Sequence, residues 1–195
     1  MAELVDAIDS KSIVRKDVWV RVPLPALMKI LIFTEGTILM HKAGIGLPRE
    51  EYVRQILEGK QSVRIFSEYV PIGNATEKIR GWKNQGADII YFSSRRTPEQ
   101  INDIHSILTR FNFPTGVLEY RKSSETYKDA GDRLAPDVLI EDDCETIGGE
   151  KEMISPHLKP GVKNKVACII VKEFSGIDEL PDNIDKLRKL GRRAA

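Results

Sequence analysis

Short apolar runs alternate with longer mixed segments along the chain. Residues 30–33, 87–93, 138–140 and 166–171 are nearly continuous runs of apolar side chains. Such runs are typical of strands that are buried on both faces of a sheet. Residues 116–120 form a further, weaker run. We therefore predict five strands at these positions.

Helical spacing occupies the segments between the predicted strands. Apolar residues recur three or four positions apart in residues 49–58, 75–85 and 97–111, and residues 126–134 also favour a helix. Thr97 followed by Pro98 is typical of a helix start, with the threonine as N-cap and the proline in the first turn. Because strands alternate with helices, the pattern predicts a parallel, doubly wound α/β sheet.

The composition fits one globular domain with a sizeable core. The chain has 195 residues, of which 41% are hydrophobic and 30% are charged. A net charge of +1 favours neither nucleic acid nor a membrane as a partner. No stretch approaches the roughly 18 apolar residues of a membrane span. The two cysteines do not make a disulfide framework, so we expect a cytoplasmic protein.

The first 27 residues differ from the rest of the chain and show no clear amphipathic period. The opening Met-Ala-Glu-Leu-Val-Asp-Ala can be written in codons that resemble the start of a leucine-type tRNA gene. Val20-Arg21-Val22-Pro23 can likewise be written as the T-arm consensus of such a gene. We expect residues 1–27 to be a non-native extension and Met28 to be the natural start. An ordinary disordered or strand-forming extension is the alternative.

Polar clusters stand at the ends of three predicted strands. They are Thr34-Glu35-Gly36-Thr37, Ser93-Ser94-Arg95 and Glu141-Asp142-Asp143. We expect them to converge, because the carboxyl ends of parallel strands border one crevice. Carboxylates suit Mg²⁺, and a serine at a helix N-terminus suits phosphate, whose charge Lys128 would help to neutralise.

The same segments resemble the motifs of the haloacid-dehalogenase-like (HAD-like) phosphatases. Gly36 and Thr37 match the end of the first motif, Asp-x-Asp-Gly-Thr, and Glu35 stands at its second aspartate. Ser93 matches the second motif, Lys128 the third-motif lysine, and residues 141–143 the acidic fourth motif. The order and spacing hold over residues 28–172. Residues 71–75, ahead of the Trp82 helix, are similar to the cap-to-core junction of the deoxynucleotidase-like branch.

The resemblance implies a three-layer, Rossmann-like core with a parallel sheet. This HAD-like domain would span residues 28–180, with a small helical cap inserted at residues 41–70 and a basic tail at residues 181–195. It also implies that the chain binds Mg²⁺ and a phosphorylated small molecule. Mg²⁺ would be held by Glu35, Glu141, Asp142 and Asp143, and phosphate by Thr37, Ser93, Ser94 and Lys128.

One departure separates the chain from the catalysis of this family. Phe33 stands where the nucleophilic aspartate belongs, and a phenyl ring can neither attack phosphorus nor bind a metal. We therefore expect binding of Mg²⁺ and a phosphorylated ligand with weak or no phosphatase activity, and Glu35 at a degenerate acid/base position. An active, nucleotidase-like phosphohydrolase that uses another nucleophile or a metal-activated water stays open. An interaction protein that keeps only the scaffold stays open as well.

Overall fold

The computed structural model describes residues 27–59, 65–122 and 124–193, so the tRNA-like segment lies outside the described residues except for Leu27. Within them, the strands are β1 (Lys29–Phe33), β2 (Leu39–His41), β3 (Tyr69–Pro71), β4 (Asp88–Ser93), β5 (Val117–Tyr120), β6 (Val138–Asp142) and β7 (Ala167–Val171). The α-helices are α1 (Arg49–Leu57), α2 (Ala75–Asn84), α3 (Pro98–Arg110), α4 (Tyr127–Leu134), α5 (Pro160–Lys163) and α6 (Ile184–Arg193). Short 3-10 turns lie at Lys42–Gly44, Phe66–Glu68, Gly149–Glu152 and Ser155–His157.

Five strands form one parallel sheet in the order β5-β4-β1-β6-β7, with β1 at its centre. β2 and β3 form a separate antiparallel pair. Because every neighbour in the large sheet is parallel, all five carboxyl ends lie along the same edge. The predicted α/β, Rossmann-like fold with a parallel sheet is therefore confirmed.

The core has two halves because the side chains of β1 alternate between the faces of the sheet. Ile30 and Ile32 belong to a cluster with the apolar side chains of α2 and α3. Leu31 and Phe33 belong to a second cluster with those of α4. Helices on both faces of a central sheet give the three-layer architecture that the sequence predicted.

Side-chain caps begin two of the helices, α3 at the predicted Thr97 and α4 at Thr126. Thr97 accepts a hydrogen bond from the backbone N–H of Gln100, and Pro98 lies in the first turn of α3. At the start of α4, Thr126 and Asp129 form a reciprocal capping box. These local bonds satisfy backbone donors that a helix leaves without partners in its first turn.

Two features extend beyond the sequence prediction. β6 continues two residues past Ile140, because Glu141 and Asp142 pair with Ile170 and Val171 of β7. The β2–β3 pair was not predicted at all, since its strands have three residues each and lie far apart in the chain. Pairing over such a separation leaves no local pattern to read.

The segment between β2 and β3 carries α1 and is bonded to the core from two sides. Arg49, at the start of α1, donates from Nε to the carbonyl oxygen of Glu173 at 2.7 Å and forms an ion pair with Glu145. Arg110 of α3 donates to the carbonyl oxygen of Ser67 in this segment at 3.2 Å and to that of Tyr69 in β3 at 2.9 Å. These bonds hold the inserted segment beside the carboxyl ends of the strands.

The basic C-terminal helix α6 packs against β7. Leu187 is fully buried in the core, and a Cβ built on Gly191 would lie 2.7 Å from the carbonyl carbon of Ala167. Lys186, Lys189 and Arg192 are exposed on the same helix. The helix therefore closes one end of the core while its charges stay in solvent. In the described parts of the chain, no helix combines the length and apolarity that crossing a bilayer requires.

Replacing Ile32 with alanine should destabilise the protein by about 2–5 kcal/mol, because it empties a fully buried position on the central strand. Leu57→Ala, at a position that is 62% exposed, is the control and should change the free energy of unfolding by about 0.5 kcal/mol or less. Urea denaturation followed by circular dichroism measures both. Equal effects of the two substitutions would contradict the central position of β1.

Candidate functional site

A cavity of about 520 Å³ opens at the carboxyl ends of the central strands. Its walls come from the ends of β1, β4, β6 and β7, from the start of α4 and from the α1 segment. The residues that line it include Phe33, Glu35, Ser94, Arg95, Asp142 and Glu173. Polar groups from separate strand ends thus meet at one crevice, as expected for a parallel sheet.

Asp142 is the best-fixed carboxylate of this cavity. Thr37 donates from its hydroxyl to Oδ2 at 2.7 Å, and the backbone N–H of Cys144 donates to Oδ1 at 2.9 Å. The side chain is almost fully buried, and this burial raises the pKa of Asp142 against the lowering effect of both donors. The two hydrogen bonds hold the carboxyl group in place at the end of β6.

Gly36 permits this arrangement. Its backbone has φ of +82°, and a Cβ built on it would lie 2.8 Å from Oδ2 of Asp142. A side chain here would therefore meet both an unfavourable backbone conformation and the carboxylate. The glycine keeps the turn after β1 close to the end of β6.

Glu35 joins β1 to β4. Its Oε1 accepts a hydrogen bond from the Ser93 hydroxyl at 2.7 Å and lies 3.3 Å from Nε of Arg95. Its Oε2 accepts from the Thr34 hydroxyl at 2.7 Å. Arg95 also lies over the ring of Phe66, with 4.2 Å between its guanidinium carbon and the ring centroid. Glu35 therefore orients the guanidinium group of Arg95 on the cavity wall.

Glu141 lies on the opposite side of β6 from Asp142. It is fully buried and accepts hydrogen bonds from the backbone N–H groups of Ile154 at 2.7 Å and Ser155 at 2.8 Å. Burial raises the pKa of Glu141, and these donors act against that rise. Because neighbouring side chains of a strand point to opposite faces, Glu141 does not line the cavity. It fixes the loop that follows β6.

Asp143 and Lys128 also lie outside the cavity lining. Asp143 forms an ion pair with Lys172 at 2.8 Å and accepts the backbone N–H of Glu173 at 3.0 Å. Partial burial raises the pKa of Asp143, but these partners outweigh it and the net shift is downward. Lys128 is exposed on α4, whereas its neighbour Tyr127 lines the cavity.

The predicted site residues therefore fall into three groups. Glu35, Ser94 and Asp142 line the cavity. Thr37 and Ser93 are buried behind it and act through their bonds to Asp142 and Glu35. Glu141, Asp143 and Lys128 lie outside the lining of the cavity. Phe33 lines the cavity with its ring 5.0 Å from that of Phe92 and 6.2 Å from that of Tyr127.

Glu173 is a cavity residue that the sequence analysis missed. It accepts hydrogen bonds from the backbone N–H of Thr146 at 2.6 Å and from its hydroxyl at 2.8 Å. Burial raises the pKa of Glu173 to about 7, against the lowering effect of Thr146. A signal existed, because Glu173 follows the predicted strand at residues 166–171 and so stands at a strand end like the other clusters. Thr146, Glu152 and Cys144 also line the cavity and lie after β6.

The cavity offers carboxylate oxygens, which are the ligands that Mg²⁺ prefers. In the described part of the chain, no group of three or more His, Cys, Asp or Glu side chains is arranged to hold a metal ion. Mg²⁺ often needs only one or two carboxylates, with waters and ligand phosphates as its other partners. The carboxylates of Asp142 and Glu35 supply oxygens of this kind, and the missing Cβ of Gly36 leaves space beside Asp142.

No protein-family model matches the chain, and no curated protein matches it. Among solved structures, it resembles a Pnkp1/Rnl/Hen1 complex at 12% identity, covering 77% of this chain and 48% of that chain with a TM-score of 0.49. It also resembles the class C acid phosphatase from Bacillus anthracis at 16% identity, covering 86% and 80% with a TM-score of 0.48. A HAD family hydrolase from Deinococcus radiodurans, with bound phosphate and sodium, matches at 9% identity, covering 76% and 92% with a TM-score of 0.40.

The chain spans about half the length of the first two solved chains that it matches. The neighbours thus include a HAD family hydrolase and a class C acid phosphatase.

Gly36→Ala should destabilise the protein more than Gly46→Ala. Both glycines have positive φ, +82° and +78°, but a Cβ at Gly46 meets nothing within 4 Å. Gly46→Ala should therefore cost about 1–2 kcal/mol from the backbone alone, and Gly36→Ala should cost more because its Cβ also meets Asp142. Urea denaturation gives the difference, and equal costs would contradict the close approach at Asp142.

The raised pKa of Glu173 predicts a pH dependence of stability. Its carboxyl has a pKa of about 7 in the folded protein, whereas an unfolded chain has an ordinary value of about 4.3. Between these values the folded protein binds more protons than the unfolded chain, so its free energy of unfolding should fall as the pH rises through this window.

Glu173→Gln removes the titrating group and should flatten the dependence of the free energy of unfolding on pH. Exposed Glu179→Gln is the control, and urea denaturation at several pH values with EDTA is the measurement. Identical slopes for wild type and Glu173→Gln would show that this carboxyl is not perturbed.

Proposed function

We propose that the cavity binds a phosphorylated small molecule together with Mg²⁺. The observation that carries the proposal is the Asp142 carboxylate, which is held by Thr37 and Cys144 and borders the cavity beside Gly36. Each oxygen of this carboxylate accepts one hydrogen bond and has a further lone pair. A divalent cation in the cavity would bind to these remaining lone pairs.

The charges of the lining support a bound cation as well. Glu35, Asp142, Glu152 and Glu173 contribute four carboxyl groups to the wall, and Arg95 contributes one guanidinium group. A phosphate dianion would be repelled by this wall without an added positive charge. Mg²⁺ would supply that charge, while Arg95 and Ser94 offer hydrogen-bond donors to phosphate oxygens.

Weak or absent phosphatase activity follows from the end of β1. The Phe33 ring packs against Phe92 and Tyr127. It therefore provides no group that could form a phosphoryl intermediate. The remaining residues would bind and orient a phosphate ester without a covalent step. The protein would thus keep a HAD-like binding site while the usual nucleophile is missing.

A second candidate function is hydrolysis by a different route. Glu152 and Glu173 line the same cavity and would be able to accept a proton from an attacking water. This candidate requires turnover, whereas the leading proposal requires binding alone. A protein that keeps only the scaffold would show neither.

Calorimetric titration of the full chain with Mg²⁺ and glycerol 3-phosphate tests the leading proposal. Binding of the phosphate ester should depend on Mg²⁺. Asp142→Asn keeps the size of the side chain but removes its charge, and should weaken Mg²⁺ binding at least about tenfold. Asp185→Asn, at an exposed acid outside the cavity lining, is the matched control and should leave binding unchanged. Unchanged Mg²⁺ affinity in folded Asp142→Asn would refute the metal assignment.

Phosphate release from a panel of sugar phosphates and nucleotides separates the two candidate functions. We expect little or no release with Mg²⁺, because Phe33 offers no nucleophile. Metal-dependent release that disappears in Asp142→Asn and persists in Asp185→Asn would instead establish the hydrolase.

A further inference from the structure

Two parts of the chain contribute apolar side chains to the lining of the cavity. Ile56 and Phe66 come from the segment between β2 and β3, and Ile147 and Phe174 come from the loops after β6 and β7. Ile147 is 55% exposed although it lines the cavity, so it stands at the mouth. The charged groups at the strand ends and these apolar side chains therefore border the same space.

Aromatic rings continue the apolar lining. Tyr127 and Phe33 lie with their ring centroids 6.2 Å apart, and Phe174 packs edge-on against Tyr52 at 4.9 Å. Arg95 lies over the ring of Phe66 and pairs with Glu35, so it connects the polar and apolar parts of the wall. Ring systems of a ligand pack favourably against such side chains.

The size of the cavity also exceeds what phosphate and a metal ion would occupy. Its volume of about 520 Å³ falls among the sites that enclose whole small organic ligands. Apolar walls favour a ligand whose organic part removes apolar surface from water. A sugar or glycerol group would remove less apolar surface from water against these walls.

We infer that the ligand is a phosphate monoester whose organic group is apolar and ring-sized, and that this group packs between Ile56 and Ile147. The inference rests on the proposed function, since it places the phosphate at the polar end of the same cavity. The apolar group then extends toward the mouth, where the α1 segment faces the loop after β6.

Calorimetric titration of the full chain with Mg²⁺ and three probes tests the inference. The probes are inorganic phosphate, glycerol 3-phosphate and 1-naphthyl phosphate. We expect 1-naphthyl phosphate to bind roughly tenfold or more tightly than glycerol 3-phosphate. Ile147→Ser should remove most of this preference and leave the binding of inorganic phosphate unchanged. Ile170→Ser is the matched control, because Ile170 is 53% exposed on β7 and does not line the cavity. It should leave the preference intact.

The outcomes separate this inference from the proposed function. Equal binding of the two esters would overturn the apolar assignment and leave phosphate binding in place. An equal loss of the preference for 1-naphthyl phosphate in Ile147→Ser and Ile170→Ser would also overturn it, because the naphthyl group would then not contact Ile147 at the mouth of the cavity. Binding of none of the three phosphates by the folded protein would refute the proposed function, and the inference with it.

Discussion

A carboxylate that is removed from water must be bonded, and three carboxylates at the carboxyl ends of β1 and β6 meet this requirement in different ways. Asp142 accepts from a hydroxyl and a backbone N–H, and Glu141 accepts from two backbone N–H groups. Glu35 pairs with a serine hydroxyl and with Arg95. These bonds connect β1 to β4, β1 to β6, and β6 to the loop after it. The arrangement of the cavity depends on them, because removing a donor would leave a buried carboxyl group with fewer hydrogen-bond partners, which costs free energy.

The order of the strands makes these bonds possible. With β1 between β4 and β6, the turn at Gly36 lies against Asp142 while Glu35 reaches Ser93. The inserted α1 segment then covers this edge, held through Arg49 and Arg110. The cavity is therefore a product of both the sheet and the insertion. Its polar end comes from strand ends, and much of its apolar surface comes from the insertion and the loops.

The carboxyl end of β1 carries an aromatic side chain. The ring of Phe33 packs against those of Phe92 and Tyr127, so this position contributes to the core. The residues to which the proposed function assigns a phosphate ester and a cation lie around it. Under that proposal, the site would persist without a nucleophile, because the hydrogen bonds of Asp142 and Glu35 also connect the strands.

The sequence by itself determined the fold class, because continuous apolar runs and helical spacing are patterns among residues that lie close together in the chain. It also placed Glu35, Ser93 and Asp142 at strand ends, where a parallel sheet brings them together. Only the tertiary structure decided which of the acids in residues 141–143 borders the cavity. Adjacent side chains of a strand point to opposite faces of the sheet. The pairing of β6 with β7 extends as far as Asp142, and this extension decided which acid borders the cavity. The β2–β3 pairing and the meeting of Thr146 with Glu173 likewise join residues far apart in the chain, and contacts of that kind have no local signature.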